Sequence, residues 1–135
     1  MTIAVRYFTR TGNTKRLAEG VAAALGVKAE SVEAGLSEKT EAVFLCNSVY
    51  AAGVDDAVKS FIADNKDKIG TLYNLSTAAL LTSSYKMVRK LAEENGVTLS
   101  EKEFHCRGQF GPLHANRPTA ADIRNAADFA RSVLV

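Results

Sequence analysis

Cysteine, histidine and blocks of like charge are all scarce in this 135-residue chain. Its two cysteines, Cys46 and Cys106, lie far apart and in no CxxC or metal-spaced cluster, so each reads as a free, mostly buried thiol. No His/Asp/Glu cluster with metal-ligand spacing is evident, nor a carboxylate pair placed for hydrolysis. There is no apolar run of about eighteen residues, which excludes a membrane-spanning helix, and the first residues lack the features of a signal peptide. A soluble, cytoplasmic protein is expected. The formal net charge is +2 and the pI about 8.6, yet no basic stripe or nucleic-acid reading motif is visible, so no nucleic-acid partner is expected. Mild positive charge suits an acidic partner or an anionic ligand through long-range steering.

What is present points to one domain spanning residues 1–135, since 47% of the residues are hydrophobic and 24% charged. "TIAVRYF" is β-branched and aromatic and predicts a first strand. In "NTKRLAEGVAAALG", Leu17, Val21, Ala24 and Leu25 recur at helical spacing and Gly26 supplies a stop. "VKAESVE" predicts a short second strand, followed by a connection too short for a regular helix. "EAVFLCNSVY" is nearly continuous in apolar character, as strands covered on both faces are. A helix is predicted from about Asp55 to Lys68, with Ile69 on its apolar side, then a fourth strand over "LSTAALLTSS" and a helix over "YKMVRKLAEENG". "EKEFHCRGQF" predicts a fifth strand and "TAADIRNAADFARSVLV" a last helix capped by Thr119. This alternation predicts an open α/β sheet of five parallel strands with right-handed crossovers and helices on both faces.

The turn "YFTRTGNT" concentrates polar groups between the first strand and the first helix. Thr9, Thr11 and Thr14 offer hydroxyls, Asn13 an amide and Arg10 a charge, while Gly12 lets backbone approach a ligand. Helix amides and the positive end of the helix dipole converge there, which suits an anion. The alternative is that Asn13 or Thr11 merely caps the helix. Neither GxxxxGK[ST] nor GxGxxG is present.

The segment "VRYFTRTGNTKRLAEGV" resembles the phosphate-binding signature of the flavodoxin family, with Tyr7, Thr9, Thr11, Gly12, Asn13, Thr14, Ala18 and Val21 on motif positions. Arg6 departs from it, because the family has an apolar residue there, and a charge within a central strand needs a partner or an exposed end. "VFLCNSVYAAG" and "ALLTSSY" are similar to the family's third and fourth strands with the loops that flank the flavin, and the resemblance extends over most of the chain. It implies strand order 2-1-3-4-5 with the cofactor, FMN, at the switch between the first and third strands, the fold that serves as a standard example of that rule. It further implies that Thr9, Arg10, Thr11, Gly12, Asn13 and Thr14 hold the phosphate. Ser48, Val49, Tyr50, Ala51, Ala52 and Gly53 would flank one side of the flavin ring, and Thr82, Ser83, Ser84 and Tyr85 the other. Tyr50 and Tyr85 are the candidates for stacking.

The flavin would carry the redox chemistry, so no catalytic side chain is expected. The resemblance implies an electron carrier, a monomer working with redox partner proteins. Two other readings stand beside it: a small FMN-dependent NAD(P)H:quinone-type reductase, and a flavin-free binding module of the same fold. The basic pI departs from the acidic character of well-known flavodoxins. A cysteine-nucleophile phosphatase is excluded, since the arginine required six residues after the cysteine is Ala52 or Pro112 here. His105 and Cys106 are consecutive on a predicted strand and point to opposite faces, so they form no dyad. His114 lies in a loop where exposure is expected.

Overall fold

The computed structural model describes residues 1–49, 53–79, 81–109 and 113–135. The strands are β1 Ile3–Tyr7, β2 Ala29–Ser31, β3 Thr40–Val49, β4 Ile69–Ala78 and β5 Phe104–Arg107. The helices are α1 Asn13–Leu25, α2 Asp56–Asp64, α3 Tyr85–Asn95 and α4 Ala120–Val133. The strands form one sheet in the order β2-β1-β3-β4-β5, every pair parallel, as the sequence predicts. The connection after β2 is a single 3-10 turn, Val32–Ala34, and then loop.

Alternation along the central strands builds two cores. Val43, Leu45 and Leu72 face α2 and α3, where they meet Val58, Phe61, Ile62 and Val88. Val5, Phe44 and Leu75 face the other way and pack with Leu17 and Val21 of α1 and Ala126 and Ala130 of α4. Chain leaving β1 therefore goes to one face of the sheet and chain leaving β3 to the other. That divergence makes the carboxyl edge between these neighbours a topological switch point, the place where ligands bind in open parallel sheets.

Two boundaries differ from the sequence expectation. Helix α2 stops at Asp64, because Asn65 closes it: its backbone N–H donates to the Phe61 carbonyl, its Nδ2 donates there too at 2.8 Å, and its Oδ1 accepts from Leu36 N at 3.0 Å. Strand β4 begins at Ile69, six residues earlier than predicted, because the long β3 offers a ladder from Thr40 to Val49 that satisfies its backbone groups. It ends at Ala78, and Thr82, Ser83 and Ser84 lead into α3 instead of extending the strand.

Arg6 finds its partners within the sheet's flank. Its Nε donates to the Gly35 carbonyl at 2.9 Å, one terminal nitrogen donates to Val5 O at 3.0 Å, and the other pairs with Glu30 at 3.2 Å on the register-matched position of β2. Burial lowers the guanidinium pKa and Glu30 opposes that shift. The departure from the family pattern is thus a staple between β1, the edge strand β2 and the turn that follows it.

Candidate functional site

At the carboxyl edge, Gly12 stands at the N-cap of α1 with φ 91°, a left-handed conformation that only glycine adopts at little cost. Among the described residues no side chain caps this helix. Neither Thr11 nor Asn13 does so, whereas α2 is capped by Asp55, which accepts from Ala57 N, and α4 by a reciprocal box between Thr119 and Asp122. The α1 ladder starts at Arg16 N to Gly12 O, 3.1 Å, so the preceding amides have no intrahelical acceptor. They lie at the positive end of the helix dipole.

The remaining side chains of this loop shape it. Thr9 Oγ1 accepts from Gly12 N at 2.9 Å and closes the turn. Asn13 Nδ2 donates to the Gln109 carbonyl at 3.1 Å, tying the helix start to the chain beyond β5, and its Oδ1 accepts from Arg16. Arg10 pairs with Asp55 at 2.9 Å and so joins the loop to the start of α2. The Ala57 amide and Arg10 hold the Asp55 carboxyl below its ordinary pKa. Thr11 is exposed. Thr14 is buried, and its hydroxyl is hydrogen-bonded to Ser48 of β3 and, at 3.2 Å, to Thr77 of β4; Ser48 and Thr77 are 3.0 Å apart. Three hydroxyls from three elements thus join the start of α1 to the carboxyl ends of β3 and β4. Thr77 escaped the sequence reading, although a polar residue in the carboxyl half of a buried strand is its signal. Gly108 packs against Thr77, since a Cβ there would stand 3.0 Å from Thr77 Cβ.

On the α2/α3 face a second polar chain joins the strand ends. Asn47 Nδ2 donates to Asn74 Oδ1 at 2.7 Å, and Asn74 Nδ2 donates to Ser84 Oγ at 3.0 Å. Ser84 N donates to Ser76 Oγ, and Ser83 Oγ accepts from Tyr85 N. The loop between β4 and α3 is also held from β5 and beyond: Arg107 donates to the carbonyls of Ala79 at 3.1 Å and Leu81 at 2.9 Å, and His114 Nε2 donates to Ala79 O at 3.0 Å. The position of His114 is therefore against this loop. His105 instead faces outward and pairs with Glu103 at 2.9 Å, while Cys106 packs on the α1/α4 side.

Of the residues singled out in sequence, the structure brings Thr9 to Thr14, Ser48, Val49, Gly53 and Thr82 to Ser84 to one edge of the sheet. Thr82 is exposed, Ser83 half-buried and Ser84 fully buried. Gly53 has φ 133° and is half-buried. Tyr85 donates its hydroxyl to Ser100 O at 3.1 Å, which directs its ring toward the connection between α3 and β5. Tyr50, Ala51 and Ala52 lie outside the described residues. No helix among the described residues is long and apolar enough to cross a membrane, and no group of three or more His, Cys, Asp or Glu among them is placed to hold a metal ion.

The family model described as flavodoxin domain matches residues 4–110. Among solved structures, a flavodoxin from the domain Archaea superposes with a TM-score of 0.73 at 16% identity, covering 100% of both chains. Flavodoxin 1 from Bacillus cereus gives 0.71 at 13% identity, covering 99% of this chain and 97% of its own. A short-chain flavodoxin associated with a non-canonical PDU bacterial microcompartment gives 0.73 at 17% identity, covering 99% and 97%. Identities this low speak for the fold alone. No curated protein matches the chain in sequence.

Proposed function

The chain belongs to the flavodoxin family, and on that premise we propose that it holds FMN at the carboxyl edge of β1 and β3 and serves as a cytoplasmic, monomeric electron carrier. The observation that carries this reading is the start of α1. Helices α2 and α4 are capped by side chains of their own, while α1, like α3, has no side-chain cap, and among the four helices α1 alone starts behind a left-handed glycine. An anionic phosphate supplies the acceptors that this turn lacks.

The residues present fit the group. Thr9 keeps the turn closed, Gly12 keeps side-chain bulk away from the approach, and the Thr14–Ser48–Thr77 hydroxyls keep α1 seated on the sheet. Asn13 contributes through its backbone amide, since its side chain is engaged with Gln109 and Arg16. Arg107, His114 and the Asn47–Asn74–Ser84 chain keep the loop after β4 in place on the other side. Bound flavin supplies the one- and two-electron chemistry. The protein contributes position, exclusion of water and local charge.

Protein incubated with FMN and desalted should retain the visible absorbance of flavin, and colourless protein with no measurable FMN titration would overturn the reading. Thr11→Leu should weaken FMN far more than riboflavin, because Thr11 is exposed in the phosphate loop and outside the core. NADPH oxidation by the FMN-loaded protein alone would instead identify a reductase.

A further inference from the structure

Helix dipoles favour acids in the first turn and bases in the last. Helix α4 follows that rule with Asp122 and Arg131, and α2 begins with Asp55 and Asp56. Helix α3 inverts it, and α1 departs from it at its start. The first turn of α1 has no acid and carries Lys15, with Arg16 next to it; α3 has Lys86 in its first turn, Arg89 and Lys90 at its middle, and Glu93 and Glu94 in its last turn. The Arg89–Glu93 pair, at 3.1 Å, even has the less favourable order of charges along a helix. Local helix stability therefore does not explain this placement.

The topology gives it another meaning. Helices α1 and α3 lie on opposite faces of the sheet, yet both begin at its carboxyl edge, after β1 and β4. The exposed cations near their starts, Lys15 and Arg16 on one face and Lys86 on the other, consequently flank the candidate site from two sides, and the exposed Asp56 that starts α2 beside them is paired with Lys59 of its own helix. Apolar surface lies in the same region: among the described residues, the exposed large hydrophobics away from the chain ends are Leu81, 46% exposed, and Leu113, 40% exposed. Both belong to loops at this edge, which the His114–Ala79 hydrogen bond joins. An apolar centre within a charged rim is the anatomy of a protein docking patch.

We propose that this edge is the docking surface for a redox partner with an acidic face, Lys86, followed one turn further along α3 by Arg89 and Lys90, supplying one side of the rim and Lys15 and Arg16 the other. The proposal rests on the electron-carrier reading above and adds the chemistry of the partner. Complementary charge steers such a partner toward this edge and raises its encounter rate at low salt.

Native cytochrome c, a basic protein, and cytochrome c with succinylated lysines, an acidic one, present the same haem behind opposite surfaces. With the bound FMN first reduced by dithionite and the excess removed by desalting, each reduced FMN would deliver one electron to each of two ferric haems and release two protons to solvent. At low ionic strength the succinylated form should be reduced at least about ten-fold faster than the native form, and the advantage should vanish near 0.5 M salt. The double variant Lys86→Glu, Lys90→Glu should lose most of that advantage with FMN affinity unchanged. Equal or faster reduction of native cytochrome c by FMN-loaded protein would overturn the docking proposal. Calorimetry without added FMN separates the two readings: a chain that retains no flavin but binds the succinylated probe, and loses that binding in the variant, keeps the surface and loses the carrier function. Tighter binding of duplex DNA, abolished by the same variant, would reassign the rim and overturn the proposal.

Discussion

Asn74 stands in the middle of a buried relay, accepting from Asn47 across the β3–β4 ladder at 2.7 Å and donating to Ser84 at the start of α3 at 3.0 Å. Both asparagines are fully buried, and Asn47 Oδ1 has no partner among the described residues. Removing Asn74 strands groups at both ends, whereas removing Asn47 also deletes an unsatisfied acceptor. Asn74→Ala should therefore cost more than Asn47→Ala, by about 1 kcal/mol. Urea unfolding of the two variants checks the order, and equal or inverted costs would contradict it.

Arg6→Met should destabilise the fold by about 1–3 kcal/mol, since it leaves the buried-side contacts to Gly35 and Glu30 without a donor. The loss should be local. Hydrogen exchange should rise in residues 29–39 while FMN affinity stays unchanged. A fall in FMN affinity comparable to the loss of stability would place Arg6 in the cofactor site instead.

Gly12→Ala meets no atom within 4 Å, so its cost is conformational, about 1 kcal/mol from the left-handed φ. Relaxing that strain would move the α1 amides. FMN affinity should fall more than riboflavin affinity, as titration by flavin fluorescence would show.

Acid should loosen the edge through Asp55 and Asp122. Burial disfavours the Asp122 charge, but hydrogen bonds from Arg117 and Thr119 outweigh it and lower its pKa, while the Ala57 amide and Arg10 lower that of Asp55. Both folded values lie below the ordinary aspartate value of about 3.9. Their contribution is complete above that pH and is lost as pH falls through the folded values. Replacing both with Asn should lower stability at neutral pH and flatten its decline between about pH 5 and pH 2.

The thiols should be silent in the native protein. Burial raises the pKa of Cys46 far above the usual thiol range and pushes that of Cys106 up to about 12. A chromogenic thiol reagent near pH 8 should label neither until urea unfolds the chain, when both free cysteines react. Rapid labelling of Cys106 in folded protein would show that β5 opens readily.

Much of this architecture can be read in the chain itself. The apolar run of β3, the helical spacing of α1 and the glycines at positions 26 and 96 are local signals, and each holds in the structure because local propensity and burial agree there. The end of α2 and the start of β4 were not legible, because Asn65 ends the helix by bonding to Leu36, 29 residues away. The same holds for the partner of Arg6, which lies on another strand and on the turn beyond it.

Sequence by itself determined the alternation of strands and helices and the polar loop at positions 9–14, since periodicity and turn chemistry act over a few residues. Tertiary structure decided what that loop does with its donors. It spends the Thr9, Asn13 and Thr14 side chains on neighbours from the loop itself, β3, β4 and the β5 end, and leaves the first turn of α1 without a side-chain cap. It also brings Lys15 and Arg16 of α1 and Lys86 of α3, some seventy residues apart in the chain, to one edge. Parallel strands joined by crossovers place every helix start at the carboxyl end of the sheet, so charges distant in sequence share a face only once the sheet has formed.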